Sequence, residues 1–334
     1  MKRTMRPFRT TYWVLILVQI ITAPGITAAS TAIADGKFEI RLPNAIIDQA
    51  GRRIVINKPF ERVISLYGAH TENLFSLGLF SEIIGVSRHD DYPPRARTKP
   101  VFSYHDDPEK FIAARPDLVL IRPMIDRGYP QFVAMLEKSG IAVASLQPGS
   151  VDEMMTYLAI LGMLTGRQEQ ARRLIVKFNQ SIDAFRDLTR SNAQRQRVYF
   201  EAIHNKMKTF APDSMAIFAL ESAGGINVAA DAESVNNTNI AYYGKERILA
   251  RASEIDVYLA QYGAMNRPTV AIIKQEPGFQ IIKAVERNRI YIVDEKLVSR
   301  PTMRLLEGVY VIGKYLYPEI FDDKALEVLD RIKE

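Results

Sequence analysis

Apolar and polar positions fall along this chain in two registers. Four short, mostly apolar runs, Val63-Ile64-Ser65-Leu66, Ile83-Ile84-Gly85-Val86, Leu118-Val119-Leu120-Ile121 and Ala142-Val143-Ala144-Ser145-Leu146, show no strict alternation. Runs of this length and uniformity predict strands buried on both faces. A shorter strand is expected at Val101-Phe102. Helical spacing lies between them. Leu74 and Leu77 mark a helix over 71–79, Asp107-Pro108 opens another with proline at its tolerated first position, and a third runs over 129–138 and stops at Gly140. Short buried strands alternating with helices predict a largely parallel sheet covered on both sides.

Before this alternation, Ala45-Ile46-Ile47-Asp48 and Ile54-Val55-Ile56 flank the turn residues Gln49-Ala50-Gly51, which predicts a hairpin. After it, Ser150-Val151-Asp152-Glu153 is a capping box that opens an apolar helix ending near Gly166. The longest helical stretch follows over 167–190, with Leu174, Ile175, Phe178, Ile182 and Phe185 on one side. Alternation then restarts: a strand at 198–203, a helix at 212–223, strands at 255–259 and 289–293, and a last helix at 303–316. The simplest architecture is α/β: two Rossmann-like lobes with mostly parallel sheets, joined by one long helix. The expected boundaries are 35–165 for the first lobe, 166–192 for the connecting helix and 193–334 for the second lobe.

The first 34 residues differ from the rest. Lys2, Arg3, Arg6 and Arg9 precede the apolar run from Trp13 to Ile21, and small residues follow, ending Ala32-Ile33-Ala34. This is the layout of a secretory signal peptide, residues 1–34. The run is too short to span a bilayer comfortably. Without this segment the formal net charge falls from +6 to +2, so basicity gives no argument for nucleic acid. There is no cysteine. Disulfides and the cysteine of bacterial lipid attachment are therefore both missing, and the expected location is the periplasm, as a soluble protein and not a lipoprotein.

Ligands of open α/β sheets bind beyond the carboxyl ends of the strands. The residues expected there are Tyr67 and His70, Arg88 and His89, Tyr104 and His105, and Arg122 in the first lobe. In the second they are His204, Lys206, Tyr262, Arg300 and Arg304. All four histidines fall at such ends. Imidazoles suit transition metals, and His204 and His89 are the candidate metal ligands, acting through a bound chelate. The spacing matches no recognised metal motif, and solvated loop histidines are the competing reading. The cations suit carboxylate, phosphate or catecholate groups. The tyrosines suit stacking, iron ligation or plain wall packing. The acid pairs Asp90-Asp91 and Asp106-Asp107 are expected as helix starts or solvated loop. No nucleophile elbow, phosphate loop or dinucleotide fingerprint is found, so no catalytic residue is assigned.

Several segments, in order, resemble a family. Arg62-Val63-Ile64-Ser65-Leu66, Thr71-Glu72-Asn73-Leu74-Phe75-Ser76-Leu77-Gly78 and Ile84-Gly85-Val86-Ser87 resemble the first lobe of periplasmic binding proteins for ferric siderophores, haem and cobalamin. So do Arg115-Pro116-Asp117-Leu118-Val119-Leu120, Lys245-Glu246-Arg247-Ile248-Leu249-Ala250, the stretch from Ala284 to Asp294, and Ser299-Arg300-Pro301 with Gly308. The resemblance covers about 62–318. It implies two α/β lobes on a rigid connecting helix, small lobe movement, and a monomer that delivers its ligand to the membrane permease and ATPase of an ABC importer. It also implies a docking acid on each lobe, at Glu72 and Glu246. The expected cargo is a metal chelate, an anionic ferric siderophore first, with cobalamin or another corrinoid and haem as alternatives. No intrinsic cofactor is expected, and iron or cobalt would arrive inside the chelate. The readings from other classes are an exported metal-dependent hydrolase and an adaptor that binds only protein.

Overall fold

The computed structural model describes residues 38–41, 44–235 and 238–333. The expected leader, 1–34, lies outside them. The span Asp35–Glu334 forms one compact unit.

The chain opens with a small antiparallel sheet of β1 (Glu39–Arg41), β2 (Ala45–Ile47) and β3 (Arg53–Val55). The expected hairpin is β2–β3. Asp48 at its turn accepts a hydrogen bond from the Ser145 amide at 2.9 Å, which pins this sheet to the first lobe.

That lobe runs β4 (Val63–Ser65), α1 (Gly68–Ser76), β5 (Ile83–Ser87), β6 (Val101–Phe102), α2 (Pro108–Ala114), β7 (Leu118–Ile121), α3 (Pro123–Gly128), α4 (Pro130–Lys138) and β8 (Ala142–Ser145). The strands pair in the order β6-β5-β4-β7-β8, all parallel. Val63, Leu118, Leu120 and Ala144 pack on one face; Ile64, Val119, Ile121 and Val143 pack on the other. Both faces are covered, which is why these strands read as continuous apolar runs. Helix α1 starts at Gly68 rather than at 71, because Tyr67 takes the extended N-cap conformation without any side-chain cap that a sequence signature would reveal.

Two long helices follow, α5 (Val151–Thr165) and α6 (Gln168–Thr189). Ser150 caps α5 through the Glu153 amide, as the capping box predicts, while the Glu153 carboxylate turns back to the Gly149 amide. Phe178, Ile182 and Phe185, spaced at i, i+4 and i+7, enter the core of the second lobe, whereas Ala171 enters that of the first.

The second lobe contains β9 (Arg197–Ile203), β10 (Lys208–Phe210), α7 (Met215–Ser222), β11 (Ile226–Asn227), β12 (Glu233–Ser234), β13 (Ile240–Tyr242), α8 (Lys245–Ala250), β14 (Val257–Tyr262), α9 (Val270–Gln275), α10 (Lys283–Glu286), β15 (Ile290–Asp294), α11 (Glu295–Val298), α12 (Leu305–Leu316) and α13 (Asp323–Lys333). Its strand order is β12-β13-β10-β9-β14-β15, with β11 also on β9. β9, β14 and β15 are parallel, but β10, β13 and β12 pair antiparallel. This sheet is therefore mixed, and the parallel character expected of it holds only for one half. The lobes meet through Asp91 and Lys296 at 2.6 Å, Glu72 and Arg300 at 2.7 Å, and the Asn73 amide donating to the Pro301 carbonyl at 2.8 Å.

Candidate functional site

Because every strand of the first sheet is parallel, its carboxyl ends share one edge. Tyr67 follows β4 there, Arg88 and His89 follow β5, Tyr104 and His105 follow β6, and Arg122 follows β7. The fold brings several together. The Arg122 guanidinium lies over the Tyr67 ring at 4.6 Å. Tyr104 and His105 pack at 4.3 Å, and Tyr129, which the sequence reading did not select, joins them at 4.7 and 5.1 Å. Tyr104 and Tyr129 also wall a cavity of about 480 Å³ with Phe132 and Met135. Burial pushes the Tyr67 hydroxyl above its ordinary range against the pull of Arg122 and Arg300, so it is a neutral phenol. Arg88, His89 and His105 are exposed.

The second sheet offers a matching edge. β10 begins where β9 ends, with Lys208 opposite Ile203, and β13 ends opposite Lys208. The Lys208 ammonium lies 4.2 Å over the Tyr242 ring. Tyr242, Tyr262 and Met265 are exposed along this edge, as is Lys206. Lys296 follows β15, and its ion pair to Asp91, just past β5, places the carboxyl edges of the two sheets against each other.

Other expected ligand residues go elsewhere. His70 is fully buried: Nδ1 pairs with the Tyr157 hydroxyl at 2.6 Å and Nε2 with the Ile121 carbonyl at 3.1 Å. Burial lowers its pKa to about 3, so it is a neutral core histidine rather than a cleft ligand. His204 is also buried. Its Nδ1 lies 2.7 Å from the Glu201 carboxylate, and its Nε2 lies 3.6 Å from Glu276, which itself pairs with Lys245. Glu201, in the middle of β9 and fully buried, also takes hydrogen bonds from Tyr258 and Asn266. Glu201 is not legible as a site residue in the sequence, because an acid inside an apolar strand reads as an exposed position. His70 and His204 are thus held by separate partners inside the protein, and the four histidines do not converge on one point. Among the described residues no group of three His, Cys, Asp or Glu is placed to hold a metal ion.

Arg300 and Arg304 are not free clamps. Both face Glu72, Arg300 at 2.7 Å and Arg304 at 3.9 Å. Gly68 makes room for the first, since a Cβ there would meet Arg300 Nη1 at 2.6 Å. The Glu72 side chain is only 2% exposed, which withdraws it from the docking role expected of it. Glu246, in the first turn of α8, is exposed. Asp90 is buried as well: it accepts from Thr71 and Ser87 and ties the β5 turn to α1, so it is neither a helix start nor solvated loop. Asp107 does cap α2, through the Glu109 amide.

Comparison with known proteins agrees with this architecture. Residues 63–297 match the periplasmic binding protein family. The uncharacterized ABC transporter substrate-binding lipoprotein YvrC of Bacillus subtilis is 25% identical over 295 residues, covering 87% of this chain and 90% of that one. The vitamin B12-binding protein of Vibrio cholerae is 24% identical over 266 residues, covering 78% and 92%. A solved structure of a possible iron-binding, periplasmic solute-binding protein from Staphylococcus epidermidis superposes with a TM-score of 0.68 at 29% identity, covering 78% of this chain and all of that one. These relatives are substrate-binding transport proteins, not enzymes. YvrC also corrects the expectation of location. A relative of nearly the same extent is a lipoprotein, so the assignment as a soluble periplasmic protein and not a lipoprotein does not stand. What fits is a role outside the cytoplasm. Among the described residues no helix is long and apolar enough to cross a membrane. A two-lobed α/β chain, matched over most of its length, belongs to the periplasmic binding protein family as the substrate-binding component of an ABC transporter.

Proposed function

We propose that this chain captures a bulky metal chelate with flat, largely apolar surface, a corrinoid such as cobalamin, and delivers it to a membrane permease. The observation that carries this reading is the lining of the two facing edges. Tyr67 under Arg122 and the Tyr104–His105–Tyr129 cluster stand on one side, and Tyr242 under Lys208, Tyr262 and Met265 stand on the other. Aromatic faces suit a planar macrocycle, and cations stacked on them leave N–H groups for amide oxygens at its rim. The cobalamin-binding relatives from Vibrio cholerae and Halobacterium salinarum support the same cargo. Cobalt or iron would come inside the chelate.

An anionic ferric siderophore is the second reading, favoured by the exposed Arg88 and Lys206 and by the iron-binding neighbour from Staphylococcus epidermidis. It is weakened by the commitment of Arg300 and Arg304 to Glu72. Equilibrium dialysis against cyanocobalamin, a ferric catecholate, a ferric hydroxamate and haem separates these. Retention of a ferric chelate with no retention of cyanocobalamin would reject the corrinoid reading.

Permease docking needs an exposed acid on each lobe. Glu246-Arg247-Ile248-Leu249-Ala250 in α8 has a counterpart in α2, Glu109-Lys110-Phe111-Ile112-Ala113. Each helix leads into a buried strand, each acid is exposed in the first turn, and the second residue after it is buried. We therefore assign docking to Glu109 and Glu246 in place of Glu72.

A further inference from the structure

Glu201 is an acid inside an apolar strand, fully buried, with both oxygens occupied. Oε2 accepts from the Tyr258 hydroxyl and, at 2.7 Å, from His204 Nδ1; Oε1 accepts from the Asn266 side chain at 3.3 Å. Asn266 is buried too, and every group of its amide is used. Its Oδ1 accepts from the His204 backbone N–H at 3.0 Å, and its Nδ2 donates to Glu201 and, at 3.0 Å, to the Gln261 carbonyl. The Asn266 carbonyl accepts from the Gly263 amide at 2.7 Å, closing the turn 263–266.

This cluster lies where two strands of the second sheet end. The turn 204–207 leaves β9 and leads to Lys208, whose ammonium lies over the Tyr242 ring. The segment 262–266 leaves β14 and carries Tyr262 and Met265. Asn205, Lys206, Tyr262, Ala264 and Met265 are exposed, so apolar packing does little to order either segment. Glu295 accepts from the Ala264 amide at 3.0 Å and steadies that turn against α11, but this contact does not tie it to 204–208. The tie between the two segments runs through Asn266.

We propose that Asn266 is a positioning residue: held by the buried Glu201, it fixes the 262–266 turn to the 204–208 turn and sets the spacing of the second lobe's two aromatic walls. The inference rests on the reading of this edge as ligand-binding. The chemistry selects asparagine, which offers one oxygen to accept and an NH2 to donate. An aspartate here would lose both donors and set a second carboxylate against Glu201. An alanine would leave the His204 N–H without its partner. Walls fixed before binding need no ordering when the ligand arrives, which favours affinity.

The test follows amide hydrogen exchange of the full chain by mass spectrometry, together with cyanocobalamin affinity. In Asn266→Ala, exchange should quicken about tenfold or more over 261–266 and also over 203–208, with the first-lobe strand 118–121 unchanged. Asn266→Asp, which keeps the shape but loses both donors, should show the same pattern and serves if the alanine variant fails to fold. Each variant should weaken cyanocobalamin binding about tenfold. In a Tyr262→Ala background, Asn266→Ala should weaken it by less than about threefold more, because a ring that it positions is already gone. A residue that serves stability alone would leave the affinity of the folded variant intact, or would weaken it by the same factor with and without Tyr262. Either result, or unchanged exchange over 203–208, would overturn the proposal. If the wild type retains no cyanocobalamin, the corrinoid reading fails, and the exchange over 203–208 decides this proposal by itself.

Discussion

Replacing Arg300 by methionine removes the guanidinium that holds Glu72 across the lobe boundary. At 2.7 Å the gross attraction is about 6 kcal/mol for an effective dielectric of about 20, most of it offset by the cost of taking both charges out of water. Removing one partner of a buried pair costs about 3–5 kcal/mol, because the other charge stays buried alone. Arg304 remains 3.9 Å away, so the lower end, about 3 kcal/mol, is expected. Burial already pushes the Glu72 carboxyl above its ordinary range, with Arg304 and Arg300 pulling it back. Without Arg300 it rises further, and the folded variant then holds a proton that the unfolded chain has lost. Stability of the variant therefore rises as pH falls. Urea denaturation of wild type and Arg300→Met at pH 5 and pH 8 reads both effects: a loss of about 3 kcal/mol at pH 8, smaller at pH 5. A Glu72→Gln, Arg300→Met double variant should lose less than the two single variants together. A loss below about 1 kcal/mol at both pH values, the range of surface pairs, would refute the idea that this pair is buried and holds the lobes.

The remaining predictions concern the histidines, the cleft and docking. The hydrogen bond that His204 donates to the Glu201 carboxylate raises the His204 pKa despite burial, so its contribution to stability is full below about pH 6.5 and is lost as pH rises through the folded value. Stability–pH curves should flatten on that limb in His204→Asn, and an unchanged curve would count against the ion pair. Burial lowers His70 to about 3, so it destabilises the fold as pH falls from about 6.5 towards that value, and its ring carbons should show no titration above pH 4.5 by NMR. Tyr104→Ala should weaken chelate binding about tenfold with little change in thermal stability; unaltered affinity would remove Tyr104 from the site. Glu109→Lys and Glu246→Lys should each reduce ligand-stimulated ATPase of the reconstituted transporter without altering ligand affinity, and normal stimulation in both would reject those docking positions.

The elements that read most clearly in the sequence are those whose pattern has one physical cause. The runs at β4, β5, β7 and β8 are buried on both faces, and Ser150 and Asp107 cap as their spacing predicts. What did not read was set by partners distant in the chain. β10, β12 and β13 are two or three residues long and are defined by pairing rather than by composition. The burial of His70 depends on Tyr157, 87 positions away, and that of Glu72 on Arg300, 228 positions away. A polar residue after a strand looks the same in sequence whether it faces solvent or completes such a pair. Tyr67, Tyr104 and Arg122 were legible as edge residues because a parallel sheet forces its strand ends together. Tyr129 was not, since it sits between two proline-started helices rather than at a strand end.

The central claim, that the facing aromatic edges hold a metal chelate, is tested most directly by titrating the chain with cyanocobalamin while following the ligand's visible absorption. The account predicts saturation at one ligand per chain and its loss in a Tyr104→Ala, Arg122→Ala double variant that remains folded. Absence of saturation in the folded wild type, or undiminished binding by the variant, would contradict it.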